Sequence, residues 1–502
     1  MFMMLVLGLF VVSVIIELLL PWVTRKNNLA IGLLTAIGIT SLLAATVLLL
    51  ILTINVGTLL IATITGYRLV SFASIYIGRM HPAYLRSVSP RTTSCLAGAQ
   101  VELWLLVVIW RHLDPSLSTI LLLITAVQLI VAVVMYRSMQ QHVSHSRQQV
   151  ETKALISSQL PAITIAVAAR NETEELMACL ESLIASDYPK LEILVLDDCS
   201  QNRRTSEIIR SFAHRGVRFI PGGEPNSSWL ARNHAYNTLA RAASGSYLLY
   251  CSTSIRLAPD SLQKMVRYMK THDKNMLSIM PGYRRKPGQY IDLEAMRAAW
   301  ELLPPRRYVG HPPVFNSCWM VRTSALKKLG GFAAVSRMII PETYFASYFA
   351  SEDSYSFLPG GDYFGVISDK EAAEQTKTAI RTYYPSLHRR PENVLFFSIV
   401  VAVICLLPLP LALAVLFGWE FSLVSLLAVL TSAVLLTTYD KLRRLMYGAS
   451  NLYDAVSFAP AVCMQLTLLQ YSMYKYEFSE VVWKDRNVCI PVMHVIPHLP
   501  KT

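Results

Sequence analysis

Charge is scarce in this sequence: Asp, Glu, Lys and Arg make up 16% of its 502 residues, and 53% are hydrophobic. Ordinary soluble domains carry about a quarter charged residues, so the composition argues against a chain that lives wholly in water. Paired cysteines are missing too. The eight cysteines stand singly, with no Cys-x-x-Cys and no framework spacing. That excludes a disulfide scaffold or zinc ribbon and leaves reduced thiols used for packing. Repeats, heptads and low-complexity tracts are absent. The net charge of +13 suits an anionic surface, yet no element interleaves basic with aromatic residues, so nucleic acid is not an expected partner.

What is present is segregated. Apolar residues gather at the two ends and leave a mixed middle from about Ser144 to Glu392, a length that suits one globular domain. The expected division is a membrane region over 1–140, a domain over 158–390, a second membrane region over 393–475 and a tail over 476–502. Phe2 to Val23 is apolar except for Glu17. It lacks the basic start and small-residue cleavage site of a signal peptide, which favours an uncleaved helix. Asn27 to Tyr67 carries no charge and is about twice the ~20 residues of one crossing, so two helices fit, with a break near Asn55-Gly57. Cys95–Trp110, weakened by Glu102, and Leu117–Tyr136 bring the first block to about five spans. Val394–Trp419 and Phe421–Thr438 form a second hairpin with a basic return loop at Asp440–Arg444. The stretch Ala455–Tyr471 either spans or lies in the interface.

Orientation follows from the basic loops. With the middle domain in the cytoplasm, Arg25-Lys26 and the Arg68–Arg91 segment fall inside and only Arg111 falls outside, as the positive-inside rule requires. The expectation is a multi-pass protein of the plasma membrane with its domain facing the cytoplasm. A transporter would place charges within its spans, and only Glu17, Arg68 and Glu102 hint at that.

In the middle, strand-like runs (Ala162–Ala168, Leu191–Leu196, Val217–Ile220, Ser246–Cys251) alternate with helical patterns (Glu172–Ile184, Arg204–His214, Trp229–Ala242, Ala258–Lys270). Such alternation predicts an α/β fold with a parallel sheet, whose ligands sit beyond the carboxyl ends of the strands. Those ends are Ala169-Arg170-Asn171-Glu172, Asp197-Asp198-Cys199-Ser200 and Ser252-Thr253-Ser254.

These segments resemble family 2 glycosyltransferases. Arg170-Asn171-Glu172 and Leu196-Asp197-Asp198-Cys199-Ser200 are similar to the two motifs that open that family. Tyr247 to Leu262 resembles the strand and helix around its Asp-x-Asp, Leu329-Gly330-Gly331-Phe332 its Gly-Gly-Phe turn, and Trp483-Lys484-Asp485-Arg486 a Trp-Lys-Gly-Arg seen after the last helices of some membrane members. The likeness runs from about Pro161 to Arg486, and it is the order and spacing of the motifs that make it specific. It implies a GT-A α/β domain, flanked by transmembrane helices, that takes a UDP- or GDP-sugar donor.

The resemblance also implies roles. Asp197 would contact the base, with Asp198 beside it, and Arg170, Asn171 and Glu172 would support the nucleotide. Strand-end aspartates also serve as plain caps and turn residues, and Glu172 suits a first helical turn. Ser252 and Ser254 stand where the family has Asp-x-Asp. Neutral hydroxyls are poor ligands for hard divalent cations, so no protein-held metal is expected, and any Mg²⁺ or Mn²⁺ would arrive with the nucleotide-sugar. Glu342 falls where the family keeps its catalytic base, though it also suits a helix start after Pro341; Glu352-Asp353 read as surface turn. The Gln375–Tyr384 stretch lacks the Trp of polymer-making members, which argues against processive synthesis, while Arg381 remains to neutralise a departing diphosphate. His311 and Asn316 are candidates for an acceptor pocket. Two functions are open: an inverting transferase acting on a lipid or lipid-linked acceptor, and an inactive relative serving as nucleotide-sugar sensor or scaffold.

Overall fold

The computed structural model describes residues 2–20, 28–52, scattered helical positions from 58 to 72, 117–148, 160–225, 228–284, 293–303, 311–361, 363–414, 422–448, 455–478, 480–484 and 486–488. The break at Asn55-Gly57, the loop at Arg111–Ser116 and the Cys95–Trp110 run with Glu102 lie outside these residues. The chain divides into two compact units, residues 1–120 with 491–502, and residues 121–490.

In the first unit the helices Phe2–Leu19 and Asn28–Leu52 pack together. Two of the charges singled out in the sequence meet here. Glu17 and Arg68 are both fully buried and paired, with Arg68 Nε donating to Glu17 Oε2 at 2.7 Å and its Nη2 to Ser13 Oγ at 3.2 Å. Apolar surroundings tolerate such ions only as a pair, so these charges join helices and need no transport path to explain them.

Among the described residues four helical stretches are long and apolar enough to cross a bilayer: Ala30–Ile51, Thr119–Gln141, Pro391–Ala414 and Leu423–Tyr447. The expected loop at Asp440–Arg444 is instead the last turns of the helix Leu423–Tyr447, where Arg444 pairs with Asp440 one turn earlier. In Pro391–Ala414 the helix widens to a π-turn at Ala402–Leu406. Pro408 has no amide to give the preceding turn, and Gln128 of the helix Leu117–Gln148 donates its side-chain amide to the Val403 carbonyl at 2.8 Å.

The second unit holds the α/β domain. Its strands are β1 (Ile163–Ala169), β2 (Leu191–Asp197), β3 (Val217–Pro221), β4 (Tyr247–Cys251), β5 (Ile255–Leu257), β6 (Met276–Met280), β7 (Gly282–Tyr283), β8 (Cys318–Arg322), β9 (Tyr355–Pro359) and β10 (Val366–Ser368), with a hairpin of β11 (Val482–Trp483) and β12 (Arg486–Asn487). The main sheet runs β3-β2-β1-β4-β8-β6-β9. The four strands expected from the sequence are parallel, but β8 runs antiparallel to both β4 and β6, so the sheet is mixed. Period-2 alternation divides its side chains between two cores. Ala166, Leu194, Leu248, Tyr250 and Trp319 face one that also contains Leu435, Tyr439 and Leu442 of the apolar helix Leu423–Tyr447. Ile165, Val167, Val195, Leu249 and Met320 face the other, with Leu176, Leu180 and Met265 of the domain's own helices. One face of the sheet is thus packed against a helix long and apolar enough to cross a bilayer.

Candidate active site

The parallel strands β1, β2 and β4 end together, and their loops are tied to one another before any ligand is considered. Asn171, with φ 53°, accepts at Oδ1 from the backbone N–H groups of Gln201 (2.8 Å) and Asn202 (3.2 Å), and its own N–H donates to Ser200 Oγ at 3.0 Å. An Asn in the left-handed region bound to backbone is a turn device. Asp197 accepts at Oδ1 from the Ser200 N–H (3.1 Å) and from the Ser200 hydroxyl. Its carbonyl takes the Gly222 N–H at 2.9 Å, and a Cβ on Gly222 would collide with that same oxygen. Of the aspartate pair, then, the first braces its own turn.

Asp198 is the one that faces the cavity. Arg486 of β12 grips it with Nη1 2.8 Å from both carboxylate oxygens, while Nη2 reaches Glu224 at 2.9 Å. Burial pushes the Asp198 carboxyl above its ordinary range, against the pull of Arg486. Arg170 is a strut across the same junction, donating from Nε to the Lys484 carbonyl (2.7 Å) and from Nη1 to the carbonyls of Asp198 (2.6 Å) and Cys199 (2.7 Å). Lys484 in turn pairs with Glu172. The hairpin singled out in the sequence as Trp483–Arg486 is thus fastened to the ends of β1 and β2.

At the end of β4, the Ser252 and Ser254 hydroxyls lie 3.2 Å apart, and the Ser252 N–H donates to the Ser317 carbonyl at 2.8 Å. Arg256 clamps this loop, bonding to the Thr253 carbonyl (2.7 Å) and to Asp369 (3.2 Å). No group of three or more His, Cys, Asp or Glu side chains among the described residues is placed to hold an ion. The end of β4 itself carries neutral hydroxyls, which are poor ligands for a hard divalent cation.

A cavity of about 940 Å³ opens over these loops. Arg170, Asn171, Glu172, Asp198, Ser252, Ser254 and Arg381 line it; Asp197, Glu342 and His311 do not, and Asn316 does. Glu342 is fully buried at the start of the helix Pro341–Ser351, behind Arg232, which meets it at 2.5 Å. Its Oε2 has no hydrogen-bond partner among the described residues. Burial would lower the Arg232 guanidinium, but Glu342 and Tyr236 together outweigh that and hold it above its ordinary value. Asp260 and Asp353 pair with Lys264 and Lys274 at the surface.

Sequence reasoning missed the cavity's other cations. Arg232, Arg297 and Lys370 all line it, Lys370 bonded at 3.2 Å to Glu294, which also accepts from the Tyr283 hydroxyl at 3.0 Å. Arg381, on the helix Ala372–Ser386, is drawn down to about 10 by burial and then by the like charges of Arg232 and Arg297. It remains a cation at neutral pH.

A mixed sheet in this order, with its site over the ends of β1, β2 and β4 and apolar helices outside it, is a GT-A-like α/β domain. Residues 164–330 match the glycosyl transferase family 2 model, so the chain carries a family 2 glycosyltransferase domain. A curated relative, glycosyltransferase AglE of Haloferax volcanii, is 34% identical over 82 residues, 16% of this chain. That match spans 27% of the relative's own length. Among solved structures, mannosyltransferase PcManGT from Pyrobaculum calidifontis, in complex with GDP-Man and Mn²⁺, is 15% identical with a TM-score of 0.38, covering 70% of this chain and 98% of that one. S. aureus TarS 1–349 with UDP-GlcNAc is 15% identical with a TM-score of 0.32, covering 62% and 90%.

Proposed function

We propose that the protein moves a sugar from a UDP- or GDP-sugar to a lipid or lipid-linked acceptor at the plasma membrane, with inversion, its domain facing the cytoplasm. One observation carries this reading: the ends of three parallel strands, far apart in sequence, bring Arg170–Glu172, Asp198 and Ser252–Ser254 to one cavity with Arg381 across it. The nucleoside lies against Asp198 and the Arg170 loop, which Asp197 and Asn171 keep in shape. The diphosphate lies over Ser252 and Ser254, with Arg381 taking up its charge.

In the transfer, an acceptor hydroxyl attacks the anomeric carbon as the bond from that carbon to the diphosphate oxygen breaks. The departing nucleoside diphosphate keeps the electron pair, and the hydroxyl proton passes to Glu342. Glu342 becomes available when Arg232 turns from it toward the diphosphate. Two membrane-length helices before and after the domain in the second unit, Thr119–Gln141 and Pro391–Ala414, favour an acceptor delivered from the bilayer. The sensor or scaffold reading has one observation in its favour, the ion pair that masks Glu342.

Titration of the purified protein with UDP and GDP, with and without Mg²⁺ or Mn²⁺, tests the donor site. Transfer of labelled sugar to extracted lipid tests the chemistry. Glu342→Gln is expected to abolish transfer and leave nucleotide binding intact. Nucleotide binding with no transfer to any lipid acceptor selects the sensor, and labelling that places residues near Ser228 outside the cell refutes the topology.

A further inference from the structure

Tyr283 joins the cavity to a membrane-length helix. It lines the cavity and lies on β7, paired in parallel with Ser368 of β10, the strand that leads into Lys370. Gly282 before it has no side chain, and the backbone of β7 lies against the last turn of Leu423–Tyr447. A Cβ on Gly282 would come 3.4 Å from the Met446 carbonyl and 2.9 Å from Gly361 Cα. The Tyr283 ring is 6.0 Å from that of Tyr447, and Arg443, one turn earlier on the helix, lies 5.4 Å from the Tyr447 ring. Here Asp440, Lys441, Arg443 and Arg444 follow the helix's apolar stretch. The cavity wall thus touches the helix where that stretch ends.

Two polar groups are held at this junction by a third. Glu294, in the first turn of Leu293–Leu302, is 3% exposed. Its Oε2 accepts from the Tyr283 hydroxyl at 3.0 Å and its Oε1 from Lys370 Nζ at 3.2 Å. Burial would raise the Glu294 carboxyl, but Lys370, Arg297 and the Tyr283 hydroxyl hold it below its ordinary range. Ionised and engaged at both oxygens, it is an anchor and not a base. Burial, and then Glu294, keep the Tyr283 phenol well above its ordinary range. The phenol therefore keeps its proton, gives it to Glu294 and retains oxygen lone pairs for a ligand. Lys370 gives Glu294 one of three N–H groups. An oxygen that accepts and an ammonium that donates stand side by side on one carboxylate, and all three residues line the cavity. An anion here would be repelled by Glu294. Neighbouring hydroxyls, which both give and take hydrogen bonds, match the pair.

We propose that Tyr283 and Lys370, set in place by Glu294, form a subsite for non-reacting, neighbouring hydroxyls of a sugar or polyol head on the acceptor. Its place beside Leu423–Tyr447 lets the acceptor's apolar part stay in the bilayer. The proposal rests on the transferase reading above and adds the acceptor's chemical class. Tyr283 and Lys370 touch the substrate; Glu294 is a positioning residue.

The test is transfer of labelled sugar from UDP- and GDP-sugars by the full chain in nanodiscs. Extracted lipid is separated by head group, and lipid and donor are varied in turn. Wild type is expected to use a lipid whose head carries neighbouring hydroxyls. Tyr283→Phe should raise the lipid concentration at half-maximal rate about three- to tenfold, the loss of one neutral hydrogen bond, and Lys370→Gln about ten- to a hundredfold, that of a charged one. Glu294→Gln should raise it as well. In all three the half-saturating donor concentration and the affinity for UDP or GDP should stay within about twofold of wild type. Tyr283→Phe, which removes a single oxygen, carries the test if the Lys370 variant does not fold. An unchanged lipid value in Tyr283→Phe and Lys370→Gln overturns the subsite, as does a change confined to the donor value, which would give these residues to the donor's sugar. Transfer only to lipids without neighbouring hydroxyls, such as a polyprenyl phosphate, also overturns it and leaves the transferase reading standing. Nucleotide binding without transfer to any lipid fraction removes that reading and the subsite with it.

Discussion

Removing Arg486 isolates one of the contacts that fasten the hairpin Val482–Asn487 to the site, beside those of Lys484 with Arg170 and Glu172. Its guanidinium meets both oxygens of Asp198 at 2.8 Å, where Asp198 is 6% exposed and Arg486 14%. The second contact, to Glu224, is to a side chain 72% exposed and contributes at most about 1 kcal/mol. Breaking a buried pair by deleting one partner costs about 3–5 kcal/mol. Arg486 retains some exposure, so the lower end applies, about 3 kcal/mol. At 1.36 kcal/mol per decade that is roughly a 150-fold rise in hairpin opening. Hydrogen exchange at the Val488 amide, which donates to the Val481 carbonyl at 2.8 Å, reads that opening directly. Asp198→Asn in a double-mutant cycle should return a coupling of about 2 kcal/mol. A coupling below about 0.5 kcal/mol, or unchanged exchange in Arg486→Ala, would show that other contacts hold the hairpin.

Three further outcomes are expected. Glu17→Ala, which leaves Arg68 charged in an apolar interior, should cost about 3 kcal/mol and lower the thermal midpoint, while Glu17→Met with Arg68→Met restores most of the loss. Gly222→Ala places a methyl against the Asp197 carbonyl; it should destabilise the β2 loop by about 1–3 kcal/mol and weaken nucleotide binding in a UDP or GDP titration. Ser252→Asp with Ser254→Asp should make transfer dependent on added Mn²⁺, whereas wild-type transfer persists at least in part in EDTA; a wild-type enzyme silenced by chelator refutes this.

Much of the domain was legible because β-branched runs and helical periods are local signals. β1 to β4 and the helices after them lie within a few residues of their expected bounds. β8 was not among the expected strands, and its antiparallel direction is decided only by its pairing with Tyr247–Cys251, far away in sequence. The motif loops were legible as a group, but not which neighbour does what. Asp197 and Asp198 are adjacent acids whose side chains part at the strand end, one toward Ser200 and one toward Arg486. Arg232 and Arg297 carried no local signal at all. Each occupies an unremarked position in its helix, and the cluster exists only because three helices meet.

The pairing of Asp198 with Arg486 spans 288 residues of chain. A ribosome adding about 5–20 residues per second needs roughly 15–60 seconds to cover that interval. Throughout it the sheet can form while the rim of its nucleotide end lacks Lys484 and Arg486. Two helical segments long and apolar enough to cross a bilayer, Pro391–Ala414 and Leu423–Tyr447, and the helix Phe458–Phe478 are made in the meantime. The hairpin can close on β1 and β2 only after they have been made. Completion of the site is thereby placed after synthesis of these segments, so that a nascent chain released before residue 486 would present an unfinished cavity.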